Sequence, residues 1–251
     1  MRSRIRFDHA SFMYRQLDPA RITETSALLC KRVEERFPQA GLRHVARDLK
    51  KLTEEAAAVS RELGRPNYVL RGIVAVCILG LLVLLGAGLR AVQIDAGLGN
   101  VSDFAQGIEA VVNDIIFVGV AIYFLTTLEV RIKRRRALHE LHALRSMAHI
   151  IDMHQLTKDP ERVVRPSDSD TASSPRTPMT LFELGRYLDY CSEMLAIIGK
   201  IAALYIQHFD DADTVSAASD VETLSSDLYR NVWQKILVID RPNSLPIRGD
   251  E

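Results

Sequence analysis

An uncharged apolar run of 18 residues, from Gly72 to Leu89 (GIVAVCILGLLVLLGAGL), restricts the folds open to this chain more than any other feature. A helix of about 20 apolar residues, rising roughly 1.5 Å per residue, crosses the roughly 30 Å hydrocarbon core of a bilayer. A core helix of a soluble protein normally carries a polar stripe, and this run has none. The run therefore predicts a transmembrane helix within residues 67–92.

A second apolar run is shorter and needs its flanks to span a bilayer. Only the 14 residues from Ile115 to Leu128 are free of charge, which gives roughly 21 Å of helix. Extension towards Val111 adds Asn113 and Asp114, which would then lie near the water interface. We predict a second span at 111–130, joined to the first by a short external loop at 93–110. An interfacial or re-entrant helix is the alternative.

The basic residues around the two runs predict the orientation of this hairpin. Lys and Arg concentrate on the cytoplasmic side of membrane proteins. The predicted loop contributes none beyond Arg90 at its edge, whereas the outer flanks carry Arg61, Arg65, Arg71, Arg131, Lys133, Arg134, Arg135 and Arg136. We therefore predict a multi-pass protein of the cell (inner) membrane with both termini in the cytoplasm.

The basic run RIKRRR, at 131–136, also has the composition of a nucleic-acid patch. The chain as a whole is neutral, with 32 Lys and Arg against 32 Asp and Glu. No aromatic residues are interleaved with the basic ones, and topology together with anionic lipid headgroups already explains their position. We predict no nucleic-acid partner. The expected partners are the lipid bilayer, further copies of the chain and a cytosolic protein.

Helical periodicity dominates the cytosolic parts. Apolar residues recur every three or four positions in 1–66, in the continuation helix at 131–158 and in a helical pair at 181–240, as narrow stripes of the coiled-coil kind. Residues 159–180 hold four prolines and many Ser, Thr and Asp, which is typical of a flexible linker, and 241–251 form a tail. The predicted fold is all-α, a two-span transmembrane helical hairpin with a cytosolic helical bundle.

Motifs of common enzyme classes are absent from the sequence. It contains no GxSxG, no Walker-type phosphate loop and no GxGxxG following a strand, which favours a protein that is not an enzyme. The three cysteines, Cys30, Cys77 and Cys191, form no CxxC pair, so we interpret them as reduced thiols.

The best candidate site is a polar stripe on the helix that follows the second span. His142, Arg145, His149 and Asp152 share one helix face, next to the apolar stripe. With His139 they are candidates for a transition-metal site, for a proton sensor, or for an anionic small molecule held by Arg145. The alternative that we favour is that they are boundary residues of a helical bundle. The cofactor is left open.

Three functions fit this organisation, and the first is favoured. It is an oligomeric two-span protein whose cytosolic helices sense a signal or bind a partner. The second is an ion-conducting pore or membrane effector, and the order of helix, two spans and helix resembles that of small two-span effector proteins of bacterial defence systems. The third is a membrane-tethered metal enzyme that uses the helix from His139 to His154. The polar candidates for a pore are Asn113, Asp114, Tyr123, Thr126 and Thr127.

Overall fold

The computed structural model describes residues 16–95, 101–164, 171, 173 and 178–239. Across these residues the chain is all-α, with no strand. The helices are α1 (Pro19–Arg36), α2 (Leu42–Leu63), α3 (Tyr68–Asp95), α4 (Val101–Leu156), α5 (Pro160–Val164), α6 (Leu181–Ile206) and α7 (Ala212–Ile239). The prediction of an all-α fold is confirmed.

Polar side chains begin the helices of the bundle where the sequence supplies them. Asp18 accepts a hydrogen bond from the Ala20 amide at 2.9 Å, and Pro19 follows as the first residue of α1. Thr180 and Glu183 form a reciprocal capping box at the start of α6. Asp211, which is buried, accepts from the Thr214 amide and hydroxyl and so caps α7. These caps fix where the bundle helices begin.

The chain divides into two compact units, and the division lies within α4. One unit is Arg65–Arg136; the other is Met1–Gly64 together with Ala137–Glu251. The second unit has a hydrophobic core to which α1, α2, α6, α7 and the last part of α4 contribute. We refer to this unit as the bundle.

The bundle buries the apolar stripe that the sequence places on the continuation helix. Ala137, Leu141, Leu144, Ala148 and Ile151 of α4 are at most 2% exposed and belong to the core. Burial of this apolar seam stabilises the docking of the end of α4 in the bundle.

Helix α6 forms the centre of the bundle. Its apolar stretch from Met194 to Ile206 is too short and too interrupted for a third span, which predicts burial among helices. The structure agrees, because Leu195, Ile198 and Ile201 are fully buried. Helix α7 packs along α6 in the opposite direction, with the Ile239 side chain 3.9 Å from the Cβ position of Gly185.

The unit Arg65–Arg136 contains the two most apolar helical stretches. The most apolar 18-residue window has a mean hydropathy of 2.6 in the first stretch and 2.0 in the second, and neither window has a buried residue. Val76, Leu84 and Phe117 are each at least 70% exposed. Both helices are long and apolar enough to cross a membrane.

Two predicted connections are shorter in the structure than in the sequence analysis. The external loop was expected at 93–110, but α3 continues to Asp95 and α4 already begins at Val101. Apart from Gly107, residues 101–110 contain nothing that opposes a helix. The linker was expected at 159–180, but α5 occupies Pro160–Val164, because Asp159 caps it and Pro160 is buried. The predicted tail, 241–251, lies outside the described residues.

Candidate functional site

The predicted polar stripe lies mostly on the open surface of α4. His142, Arg145 and His149 are exposed, and only Asp152 is half-buried. Among the residues that the structure describes, no group of three or more His, Cys, Asp or Glu side chains is arranged to hold a metal ion. The structure therefore brings Asp152 towards other helices and leaves the other three side chains on one exposed face.

The polar candidates for a pore are also on exposed faces. Asn113, Asp114, Tyr123 and Thr126 are exposed, and the Thr126 hydroxyl donates to the Tyr123 carbonyl of its own helix at 3.0 Å. Such back-bonding satisfies a hydroxyl without a partner from another helix. The Asp114 carboxylate lies 3.8 Å from the Cβ position of Gly88 on α3. A single chain thus does not assemble these groups into one polar lining, and the pore stays a prediction.

A polar connection joins the end of α4 to α7 through Gln155. Gln155 is only 2% exposed, and its amide donates to the Asp152 carboxylate at 2.5 Å. The Lys235 ammonium, from α7, donates to the Gln155 side-chain oxygen at 2.5 Å and to the Gln155 carbonyl at 3.0 Å. Asp152, Gln155 and Lys235 thus form a continuous chain of hydrogen bonds, which we call the α4 latch.

The α4 latch is placed where a helix needs a positive charge. The last four carbonyls of a helix have no partner within it, and the aligned peptide dipoles give this end a partial negative charge. The carbonyl of Gln155 also accepts from the Lys158 amide at 3.0 Å, so this carbonyl has two donors. Lys235 therefore acts as a C-terminal cap supplied by a different helix.

Burial and nearby carboxylates act in opposite directions on Lys235. Burial lowers the pKa of the ammonium, and Asp159 and Asp152 oppose this shift. Neighbouring Cys191 is fully buried, and burial raises the pKa of its thiol to about 12. A thiol with this pKa is neutral and unreactive at physiological pH. The arrangement therefore suits holding two helices together rather than covalent chemistry.

A small cavity of about 260 Å³ lies at the end of α4, between that helix, α6 and the turn that precedes α2. His154 and Tyr187 line it, and the Tyr187 hydroxyl donates to the His154 carbonyl at 3.4 Å. Burial, and then the nearby Lys158 charge, lowers the pKa of His154. The volume is below the roughly 300–1,000 Å³ typical of small-molecule sites, so the cavity is small for a cofactor.

A second polar cluster lies in the unit Arg65–Arg136, where α3 begins. The Glu129 carboxylate accepts from the Arg71 guanidinium at 2.7 Å and from the Asn67 amide at 3.1 Å, and it pairs with Lys133 at 3.0 Å. Lys133 also donates to the Arg65 carbonyl at 2.7 Å. This cluster braces the start of α3 against α4.

Neither cluster is predicted from the sequence above. For the second, a signal was present: Arg71 precedes the first apolar run directly and Glu129 follows the second directly, so a hairpin places opposite charges at one end. For the α4 latch no such signal exists, because Gln155 and Lys235 are 80 residues apart.

Comparison with protein-family models, with characterised proteins and with solved structures finds no match to this chain.

Proposed function

We propose that this chain is an integral membrane protein with two spans, α3 and α4, whose bundle lies in the cytoplasm and senses a signal or binds a partner. The chain works as an oligomer, and α4 carries the response between membrane and bundle.

The exposure of the two apolar windows supports this proposal best. Their mean hydropathies are 2.6 and 2.0, and neither window has a buried residue, whereas the bundle has a core of its own. Soluble monomers rarely expose contiguous apolar patches larger than a few hundred Å². Lipid hydrocarbon is as apolar as these surfaces, so a bilayer can cover them. Two spans cover only part of each other's surface, which leaves apolar faces for contacts with further copies of the chain.

The continuity of α4 supports its role in transmission. The helix runs from Val101 to Leu156 and contains no proline, and beyond Gly119 it contains no glycine. Beyond Gly119, α4 therefore lacks the residues at which helices usually kink. The α4 latch fastens its last turn to α7, so a displacement of the helix end would act on α7 directly.

Labelling of engineered cysteines tests the membrane proposal. Gln93→Cys lies at the predicted external end of the hairpin, and Ser146→Cys lies on the exposed face of α4 within the bundle. In sealed right-side-out vesicles, we expect a membrane-impermeant maleimide to modify Gln93→Cys, and to modify Ser146→Cys only after the vesicles are opened. The two variants serve as controls for each other.

Two outcomes would contradict the proposal. Release of the chain from membranes by alkaline carbonate would exclude spanning. Modification of both cysteines, or of Ser146→Cys alone, in sealed vesicles would exclude the hairpin with cytoplasmic termini.

A further inference from the structure

A second apolar stripe on α7 lies outside the bundle core. The core side of α7 includes Val232 and Ile236, which are buried. Tyr229, Trp233 and Leu237 follow at intervals of four residues on the adjacent side of the helix, and they are 39%, 46% and 40% exposed. Large aromatic side chains with this exposure are typical of protein–protein contact surfaces.

A groove between α6 and α7 continues this stripe. It encloses about 730 Å³ and is open to solvent, and small residues, Ala196, Gly199 and Ala203, form its α6 side. A Cβ added at Gly199 would meet nothing within 4 Å, so the groove has room for a side chain from outside. Tyr229 lines both the groove and the stripe. Small-molecule sites enclose most of the ligand, so an open groove of this kind is better suited to binding the surface of another protein.

The charges in this groove are complementary to a second copy of the same groove. Lys200 and Arg230 carry positive charge, and Glu222 and Asp227 carry negative charge, so the lining is neutral. Arg230 pairs with Asp227 on the same helix. Lys200 donates to the Ala196 carbonyl of its own helix at 3.3 Å. Among the described residues, Lys200 and Glu222 do not form an ion pair with each other. A neutral lining does not favour nucleic acid or a strongly charged peptide.

We propose that the groove and the stripe together form a two-fold symmetric interface between two copies of this chain. In such an interface each patch meets the same patch of the other copy. Tyr229 and Trp233 of each copy pack against the groove of the other, and Lys200 of each pairs with Glu222 of the partner subunit. This inference deepens the oligomeric part of the proposed function and rests on it.

Charge reversal tests the pairing between copies in the full-length chain purified in detergent. We expect Lys200→Glu alone, and Glu222→Lys alone, to weaken self-association about tenfold or more, because each dimer then contains two like-charged contacts. An equimolar mixture of the two variants should recover the affinity, because every contact then joins opposite charges. Asp220→Lys, at an exposed α7 residue outside the groove, is the matched control and should have no effect.

Trp233 gives a local readout, because it is the only tryptophan of the chain. Its emission should shift to shorter wavelength, and its quenching by acrylamide should decrease, as the protein concentration rises. Both changes should disappear in each single variant and return in the mixture. Circular dichroism of each variant shows whether the helices are retained.

Several results would overturn the interface. A mixture that associates no better than either variant alone excludes the pairing. A Trp233 that is shielded equally at all concentrations and in both variants shows that another segment of the same chain covers the face. A Trp233 that stays accessible in an associated chain places the contact between copies elsewhere. None of these readouts depends on membrane insertion, which the labelling of Gln93→Cys and Ser146→Cys tests separately.

Discussion

Replacement of Lys235 by methionine removes the cap on α4 and nearly preserves the shape of the side chain. The variant loses hydrogen bonds of 2.5 and 3.0 Å from the ammonium to the two oxygens of Gln155. Hydrogen bonds to charged groups contribute about 1.5–3 kcal/mol each. Burial lowers the pKa of Lys235, which shows that the ammonium is held at a cost, and this cost offsets part of the gain. We expect a net loss of about 2–3 kcal/mol in the free energy of unfolding of the bundle.

Urea denaturation of the full-length chain in detergent, followed by Trp233 fluorescence, measures this loss. Lys51→Met is the matched control, because the Lys51 side chain is 77% exposed and its pairing with Glu55 at 3.9 Å is a surface contact. Exposed ion pairs contribute at most about 1 kcal/mol. Equal destabilisation by Lys235→Met and Lys51→Met would refute the role of the α4 latch.

A double variant separates the α4 latch from other effects of the substitution. In a Gln155→Leu background the side-chain oxygen at position 155 is absent. Lys235→Met in this background therefore does not leave a buried side-chain acceptor without its donor. Replacing both partners of a hydrogen bond by apolar groups is nearly neutral. The cost of Lys235→Met should therefore fall to about 1 kcal/mol, reflecting the bond to the Gln155 carbonyl that remains. An unchanged cost would mean that the two side chains are not coupled.

Three further predictions concern the same end of the bundle. Leu144→Ala should lower the free energy of unfolding of the bundle by about 3 kcal/mol, because Leu144 is 0% exposed. Leu156→Ala, at a 60% exposed position, should change this free energy by at most about 0.5 kcal/mol. Equal effects of the two substitutions in urea denaturation would contradict the docking of α4. Burial keeps His154 neutral in the folded chain, so the unfolded chain, with a pKa near 6.5, takes up the proton first as the pH falls, and stability is lost below about pH 6.5. Melting curves between pH 5 and 8, a range of roughly one to two units about the pKa of histidine, should show that His154→Gln flattens this slope, and an unchanged slope would contradict its origin in His154. A Cβ at Gly41 would lie 2.7 Å from the His154 ring. Gly41→Ala should therefore lower the melting temperature in the native chain but not in a His154→Ala background. Equal shifts of the melting temperature in the two backgrounds would exclude the clash.

Local patterns of the sequence predict the helices well, because each pattern reports on contacts within one element. The apolar run from Gly72 predicts α3, and Asp18 with Pro19 predicts the start of α1. The failures are at the connections. Residues 101–110 were assigned to a loop because they lie outside the apolar run. A helix can extend beyond the membrane wherever the residues tolerate helical geometry, and α4 begins in this segment.

The candidate site could be predicted only in part, for the same physical reason. Spacing places His142, His149 and Asp152 on one face of a helix, but it does not predict which residues of other helices lie opposite that face. Only Asp152 meets another polar group that leads to a second helix, and the connecting residues, Gln155 and Lys235, are distant in sequence. Contacts of that kind arise from packing, so they are visible only in the folded chain.

The distribution of the three cysteines makes the number of reactive thiols a measure of folding. Cys30 and Cys191 are buried in the bundle, and burial raises the pKa of both thiols, while Cys77 is exposed on α3. In a bilayer the hydrocarbon would shield Cys77, so a water-soluble thiol reagent should modify none of the three in the inserted, folded chain. Opening of the bundle alone would expose two, and full denaturation would expose all three. The native sequence thus reports insertion and folding in a single titration, without an added label.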